Sequence, residues 1–244
     1  RGDITVNSSK GPVRDGRIKP EITAQGQSVR SLWLNNGFSS FSGTSMSSPG
    51  VSGGLVLLEQ RYRQLHSGSN AQNGLLKALI CNGGTDAGNE GPDFRHGFGN
   101  MNLLRSVTMM ENNTYFIDSV INGANNTHTI SIPANTAHLK VTLYWQDPPA
   151  SLLAAQTLVN DLDLEVTPPS PALPVLQRTL DTIPANVNAV AGTGADHINN
   201  IEQVTINNPA AGTYTLRVIG EAIPTGPNQT FSLTWDVEQP FIEI

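Results

Sequence analysis

The chain changes character near residue 110, and that change limits its fold more than any other feature. After Thr114 the sequence breaks into eight short runs with strand character: "YFIDSVI", "HTISIPA", "HLKVTLYWQD", "DLDLEVTP", "VLQRTLDTI", "EQVTINNP", "GTYTLRVIG" and "TFSLTWDVE". Asn, Gly and Pro punctuate them, as turn residues do between strands. With no helical periodicity between them, the runs predict an all-β, jelly-roll-like sandwich over residues 111–244, entered through the linker "ENNT". Composition agrees: 23 Gly, 16 Pro and only 14% charged residues fit a turn-rich, strand-rich chain and not a helical bundle.

Before residue 110 the periodicity is helical. "SMSSPGVSGGLVLLEQRYRQLH" predicts one helix, with Pro49 in its first turn, where a missing N–H does little harm. "SNAQNGLLKALICNGG" predicts a second, with Ser69 or Asn70 as cap and Gly83 as stop. Gly50, Gly53 and Gly54 each cost the first helix about 1 kcal/mol relative to Ala. So many small residues on one helix predict close packing against another element.

Several classes of function are excluded at this level. A net charge of -6 argues against binding a phosphate backbone, which requires clustered Lys and Arg. No apolar run reaches the roughly 18 residues of a membrane span. The single cysteine, Cys81, can form no intrachain disulfide, and its apolar surroundings make it a small buried hydrophobe. The polar opening "RGDITVNSSKG" shows no signal peptide and no initiator Met, so the chain is expected to be a piece of a longer protein.

The chemistry-bearing stretch is "FSGTSMSSPGVSGG", residues 41–54. A serine hydroxyl needs a base within hydrogen-bond reach and donors for the developing oxyanion. At a helix start, unpaired N–H groups and the positive end of the dipole provide part of this, and Gly43 leaves room for a substrate. The same residues also read as an ordinary Ser/Thr helix cap. On the tripeptide alone both readings stand.

The longer context resembles a known family. "SGTSMSSPGVSG" resembles the nucleophile segment of the subtilisin-like serine proteases (subtilases, peptidase S8 type). "RDGRIKPEITAQG" upstream resembles the strand and loop that precede it there, and "HGFGNMNLLRSV" downstream resembles the segment closing the catalytic domain. Beyond the linker, "HLKVTLYWQDPPA", "TLVNDLDLEV" and "NNIEQVTINNPAAGTYTLRVIG" resemble the C-terminal β-sandwich of the KP-43-like branch. Two positions depart from the usual pattern: Ala24-Gln25-Gly26 stands for Ala-Pro-Gly, and Gly50 follows Pro49 where His is frequent. Neither belongs to the triad.

The resemblance implies an α/β remnant of a subtilisin-like catalytic domain over residues 1–110, followed by the sandwich. It implies a serine endopeptidase that cleaves polypeptide through an acyl-enzyme on Ser45, with the Ser45 N–H as one oxyanion donor and the substrate laid as an extended strand. No cofactor is required for that chemistry. It further implies export, to the medium or the cell envelope. The family's chain order is Asp, His, Ser, so the Asp and His segments are expected before residue 1, and this chain alone is expected to be inactive. His66, His96, His128, His138 and His197 read as structural or surface residues and not as the missing base. The expected partners are the missing N-terminal part of the protease or a second copy. Residues 1–110 are half of a doubly wound domain with unpaired apolar faces, and should be less stable than the sandwich.

In "TLVNDLDLEV", period-two alternation sets Leu158, Leu162, Leu164 and Val166 on one face and Asp161, Asp163 and Glu165 on the other. Three aligned carboxylates read first as a solvated strand face. The alternative is a calcium site of Asp161 and Asp163 with Asp147 converging from a neighbouring strand end, since calcium takes several such oxygens. Trp33, Trp145 and Trp235 could form a sugar-stacking set, but strand tryptophans more often fill cores. Asn7, Asn112, Asn125 and Asn228 fit the N-glycosylation triplet, which predicts surface exposure. A non-catalytic sandwich binding module on a vestigial protease half, and a structural or assembly protein, remain the competing classes.

Overall fold

The computed structural model describes residues 3–239. In chain order the elements are β1 (Val29–Trp33), β2 (Gly37–Phe41), α1 (Thr44–Leu65), α2 (Asn73–Asn82) and α3 (Leu103–Glu111). Ten strands follow among the described residues: β3 (Tyr115–Val120), β4 (Asn125–Ile132), β5 (His138–Trp145), β6 (Asp161–Thr167), β7 (Val175–Leu176), β8 (Arg178–Thr179), β9 (Gly192–Thr193), β10 (Ile201–Asn207), β11 (Gly212–Ala222) and β12 (Gln229–Glu238), with the short β8–β9 pair standing apart from the main sheets. The chain is thus mixed α/β with mostly antiparallel sheets. Among the described residues no helix is long and apolar enough to cross a membrane.

Two four-stranded antiparallel sheets, ordered β10-β5-β12-β3 and β4-β11-β6-β7, face each other over one core. Alternation builds it. Leu139, Val141, Leu143 and Trp145 of β5 meet Leu162, Leu164 and Val166 of β6 and Tyr214, Leu216 and Val218 of β11, all buried. Trp145 satisfies its indole N–H by donating to the Asn160 carbonyl at 2.8 Å.

The other face of β5 carries Lys140, Thr142 and Tyr144, a pattern that by itself suggests solvent. Instead α2 covers it, and all seven residues from Leu139 to Trp145 are buried. A second core forms there from Leu75, Ala78, Leu79, Ile80 and Cys81 of α2, Leu58 of α1, Met109 and Met110 of α3, and Tyr144 and Ile201 of the sheet. The polar groups caught in this seam are paired. Thr142 donates to Asn82 Oδ1 at 2.8 Å, Gln203 donates to Thr142 at 3.0 Å, and Lys140 Nζ donates to the Gly84 carbonyl at 2.7 Å. Arg105 of α3 reaches Asp236 and Glu238 of β12 at the rim.

The structure departs from the sequence reading at several points. β1 and β2 form an antiparallel hairpin that the reading did not place, turning through Asn35 and Asn36 at φ 57° and 59°. α3 was likewise read only as a closing segment. Residues 14–26 do not form a strand; Thr23 makes one isolated parallel bridge to Asn100. α1 begins at Thr44, so Pro49 lies in its second turn and leaves the Ser45 carbonyl without its i+4 donor. α2 begins at Asn73, after Gln72, with no side-chain cap from Ser69 or Asn70. Gly83 does end α2, but at φ -73°. Its lack of a side chain is needed for space, because a Cβ would strike the Ser106 backbone N at 2.9 Å. Gly54 packs closely as expected: a Cβ would sit 2.8 Å from Leu103 Cδ2, whereas nothing lies within 4 Å of Gly50 or Gly53. "VLQRTLDTI" is broken at Gln177, with β7 pairing to β6 and β8 to β9.

Lys140 makes the seam sensitive to pH. Burial, reinforced by the nearby Arg105 charge, lowers its ammonium from 10.5 to about 8. The folded state therefore sheds this proton more readily than the unfolded chain. Its contribution to stability is fully present above pH 10.5 and is lost as pH falls through 8. In urea melts of the wild type and Lys140→Met, the stability difference should move in favour of the wild type by about 3 kcal/mol between pH 7.5 and 10.5.

Candidate active site

The approach to α1 fixes Ser45. Gly43 adopts φ 154°, ψ 168°, a conformation open to glycine, and its N–H donates to the Gly26 carbonyl at 2.7 Å. A Cβ on Gly26 would collide with Ser47 Oγ, so the glycine of the Ala-Gln-Gly stretch is what lets this loop run beneath the helix start. Gly43, and not Ser45, is the N-cap, and no side chain caps the helix. Ser45 is the second helical residue, exposed, in a first turn that carries no acidic residue. Its N–H is one of the helix-start donors without an intrahelical acceptor. The nearest atoms to a Cβ built on Gly43 lie 3.9 Å away, which leaves open space on that side of the serine. These features bring an uncommitted hydroxyl, free backbone donors and the positive helix end to one exposed point.

The histidines are engaged elsewhere. His66 stacks on Tyr62 with 3.8 Å between ring centroids and meets the Tyr115 hydroxyl at 3.1 Å. Buried His96 lies against Asp93. His128 stacks on Phe116, half-buried His138 opens β5 two residues before Lys140, with burial and then the Lys140 charge lowering its pKa, and His197 Nδ1 meets Asp161 Oδ2 at 2.7 Å. Cys81 is fully buried, and burial pushes its thiol up to about 12, so it is no nucleophile.

Large apolar side chains are exposed on the elements that precede and follow Ser45 in the chain. The hairpin exposes Leu32, Trp33, Leu34 and Phe38, each more than half accessible, and α1 exposes Val56 and Leu57. Trp33 contacts Phe41 in the hairpin, Trp145 lies in the sandwich core, and half-buried Trp235 stacks on Phe116, so the three tryptophans occupy three separate environments. Asn7, Asn112, Asn125 and Asn228 are all exposed.

The carboxylates of β6 are not a solvated row. Asp161 holds His197, Glu165 pairs with Arg217, and Asp163 is buried and accepts from Gln177 at 2.7 Å. Asp147 is turned to the chain instead, its two oxygens accepting the Val159 and Asn160 N–H groups at 2.8 and 2.7 Å. The grouping that sequence reasoning missed adds Asp196 and Glu202, from "ADHINNIE". Glu202 lies on the core-facing side of β10, 1% exposed, and reaches the Leu164 N–H of the opposite sheet at 2.7 Å. Burial, and then repulsion from Asp163 and Asp196, raise Glu202 well above the carboxylate range; burial, only partly offset by the His197 hydrogen bond, raises Asp161 to about 6. Among the described residues no group of three or more His, Cys, Asp or Glu side chains is placed to hold a metal ion.

Known proteins match both parts of the chain. Residues 1–99 match the Subtilase family. The serine protease/ABC transporter B family protein tagA of Dictyostelium discoideum is 28% identical over 264 residues, covering 93% of this chain and 15% of that protein. The tagB protein of the same organism is 25% identical, covering 95% of this chain and 16% of its own length. The C5a peptidase of Streptococcus pyogenes is 49% identical over 55 residues, 22% of this chain and 5% of that protein. The chain thus spans about one sixth or less of the length of these curated relatives.

The carboxylate cluster carries a direct test. Glu202 in the folded state keeps its proton to higher pH than in the unfolded chain, so its stabilising contribution is present below pH 4.5 and is lost as pH rises. Glu202→Gln keeps an acceptor for Leu164 N–H and removes the charge. The variant is expected to melt at a higher temperature than wild type at pH 7.5, with the gap closing toward pH 4; scanning calorimetry at both pH values measures it.

Proposed function

We propose that this chain, whose residues 1–99 match the Subtilase family, is the nucleophile-bearing end of a subtilase catalytic domain (residues 1–110) joined to a jelly-roll-like sandwich (111–244). Ser45 is the acylating nucleophile of a serine endopeptidase. The single observation that carries this reading is that Ser45 is not the helix cap. It sits exposed in the first turn of α1 beside the open space at Gly43, so the bland explanation for a serine at a helix start does not apply.

In this reading Ser45 Oγ attacks the carbonyl carbon of an extended polypeptide while an imidazole accepts its proton. The Ser45 N–H donates to the carbonyl oxygen as negative charge develops there, where a preorganised donor is worth most. The C–N bond breaks, the imidazole protonates the departing amine, and water then cleaves the Ser45 ester by the same route. The imidazole and its aspartate come from chain preceding these residues. That preceding part docks on the uncovered hairpin and on the outer face of α1, where Gly50 and Gly53 leave room for close approach. The enzyme is exported and works on polypeptides outside the cell.

The test is an active-site label. A fluorophosphonate probe should modify Ser45 when the preceding part of the protease is present and should leave Ser45→Ala unlabelled. Ser45→Ala should also lower kcat/KM on a denatured protein substrate by roughly 10⁴-fold or more. A folded longer protein whose Ser45 refuses the probe, or peptide cleavage that survives in Ser45→Ala, would overturn the assignment.

A further inference from the structure

A pocket of about 220 Å³ opens at the end of the sandwich, where the loop carrying Arg17 meets the loops after β5 and before β6. It is smaller than the roughly 300–1,000 Å³ of sites for drug-sized ligands, so any occupant is small. Two opposite charges line it, Arg17 and Asp147. They do not close into an ion pair: Arg17 Nε donates instead to Asp15 at 2.8 Å, which leaves the two terminal guanidinium nitrogens for another partner. Asp147 is held rigid by the Val159 and Asn160 N–H groups, and each oxygen keeps a further lone pair. Pro148, Pro149 and Leu158 supply an apolar wall.

The loop between Ala150 and Thr157 begins and ends on the pocket wall, since both residues line it. Its tip exposes Leu152 at 97% and Leu153 at 94%, with Leu153 held at φ 63°, a conformation costly for a bulky side chain. The site therefore combines a fixed cation, a fixed anion and an apolar wall, beneath a loop whose tip exposes two leucines.

We propose that this pocket binds a short apolar peptide with free ends, its carboxylate on Arg17, its ammonium on Asp147, and its side chains against Leu152 and Leu153. A guanidinium fork suits a carboxylate, and a single pocket offering separated charges of both signs selects a zwitterion over either ion alone. The site is distinct from Ser45 and does not depend on the protease reading, although peptides of this kind are what proteolysis releases.

Calorimetric titration of the chain carrying Ser45→Ala tests this, because no hydrolysis can then be confused with binding. Leucyl-leucine should bind saturably, and N-acetyl-leucyl-leucine amide, capped at both ends, should bind at least about tenfold more weakly, as expected when charged hydrogen bonds are removed. Arg17→Gln should weaken the free dipeptide by at least about tenfold. The double variant Leu152→Ser/Leu153→Ser, which alters only exposed side chains, should weaken it several-fold without changing the melting temperature. The proposal is overturned if leucyl-leucine shows no saturation up to about 10 mM, if the capped peptide binds as well as the free one, or if folded Arg17→Gln binds undiminished.

Discussion

The contact between α2 and the polar side of β5 holds this molecule together. A strand that alternates Leu139, Val141, Leu143 with Lys140, Thr142 is built to wet one face. Here both faces are dry, because α2 sits on the second one and buries Leu75, Ala78 and Leu79 completely. The cost of drying Thr142 and Lys140 is met by specific partners on the helix side, Asn82 and the Gly84 carbonyl. Removing α2 would strand a hydroxyl, an amide and an ammonium in a desolvated site. The helical and all-β regions thus share one interior, which α1 joins through buried Leu58 and the partly buried Val51, Leu55 and Tyr62, with Gly54 packed on Leu103 of α3.

This arrangement explains why Ser45 can be exposed yet well placed. The C-terminal half of α1 is anchored: His66 joins Tyr115, Arg61 pairs with Glu111, and Leu58 is buried. Its N-terminal half carries Pro49, Gly50 and Gly53, and among the described residues nothing lies within 4 Å of a Cβ built on either glycine. Stability sits at one end of the helix and an unsatisfied backbone at the other. Functional backbone groups generally occur where local satisfaction has been given up, and the Pro49 break in the hydrogen-bond ladder lies four residues from the serine.

Legibility in the sequence followed the length scale of the signal. Period-two runs such as "HLKVTLYWQD" and "GTYTLRVIG" marked strands well, because alternation is local. The β1–β2 hairpin was legible in principle from Asn35-Asn36-Gly37, but its flanks bury nothing and so lack a clear inside and outside. "VLQRTLDTI" looked continuous, and only the tertiary bond from Gln177 to Asp163 accounts for its break. The serine motif was readable as a motif; that Gly43 and not Ser45 caps the helix was not, since both residues suit a cap.

The acidic residues show the limit most clearly. Sequence spacing placed Asp161, Asp163 and Glu165 on one face and set Asp147 nearby. Spacing cannot say what lies opposite a face. The fold supplies Arg217 for Glu165, His197 for Asp161 and Gln177 for Asp163, and diverts Asp147 to two backbone donors. It then adds Glu202 from a strand some forty residues on, reaching between the sheets to the β6 backbone. A carboxylate so placed is destabilised by its neighbours in the ionised state and bound usefully to Leu164 in either state, so its proton is the cheapest counter-charge available. The cluster and the Arg17–Asp147 pocket lie near the same end of the sandwich, one with excess negative charge buried and the other with separated charges exposed. A zwitterion entering the exposed pair neutralises it without adding net charge beside the buried acids, whereas a simple cation or anion could not avoid altering that balance.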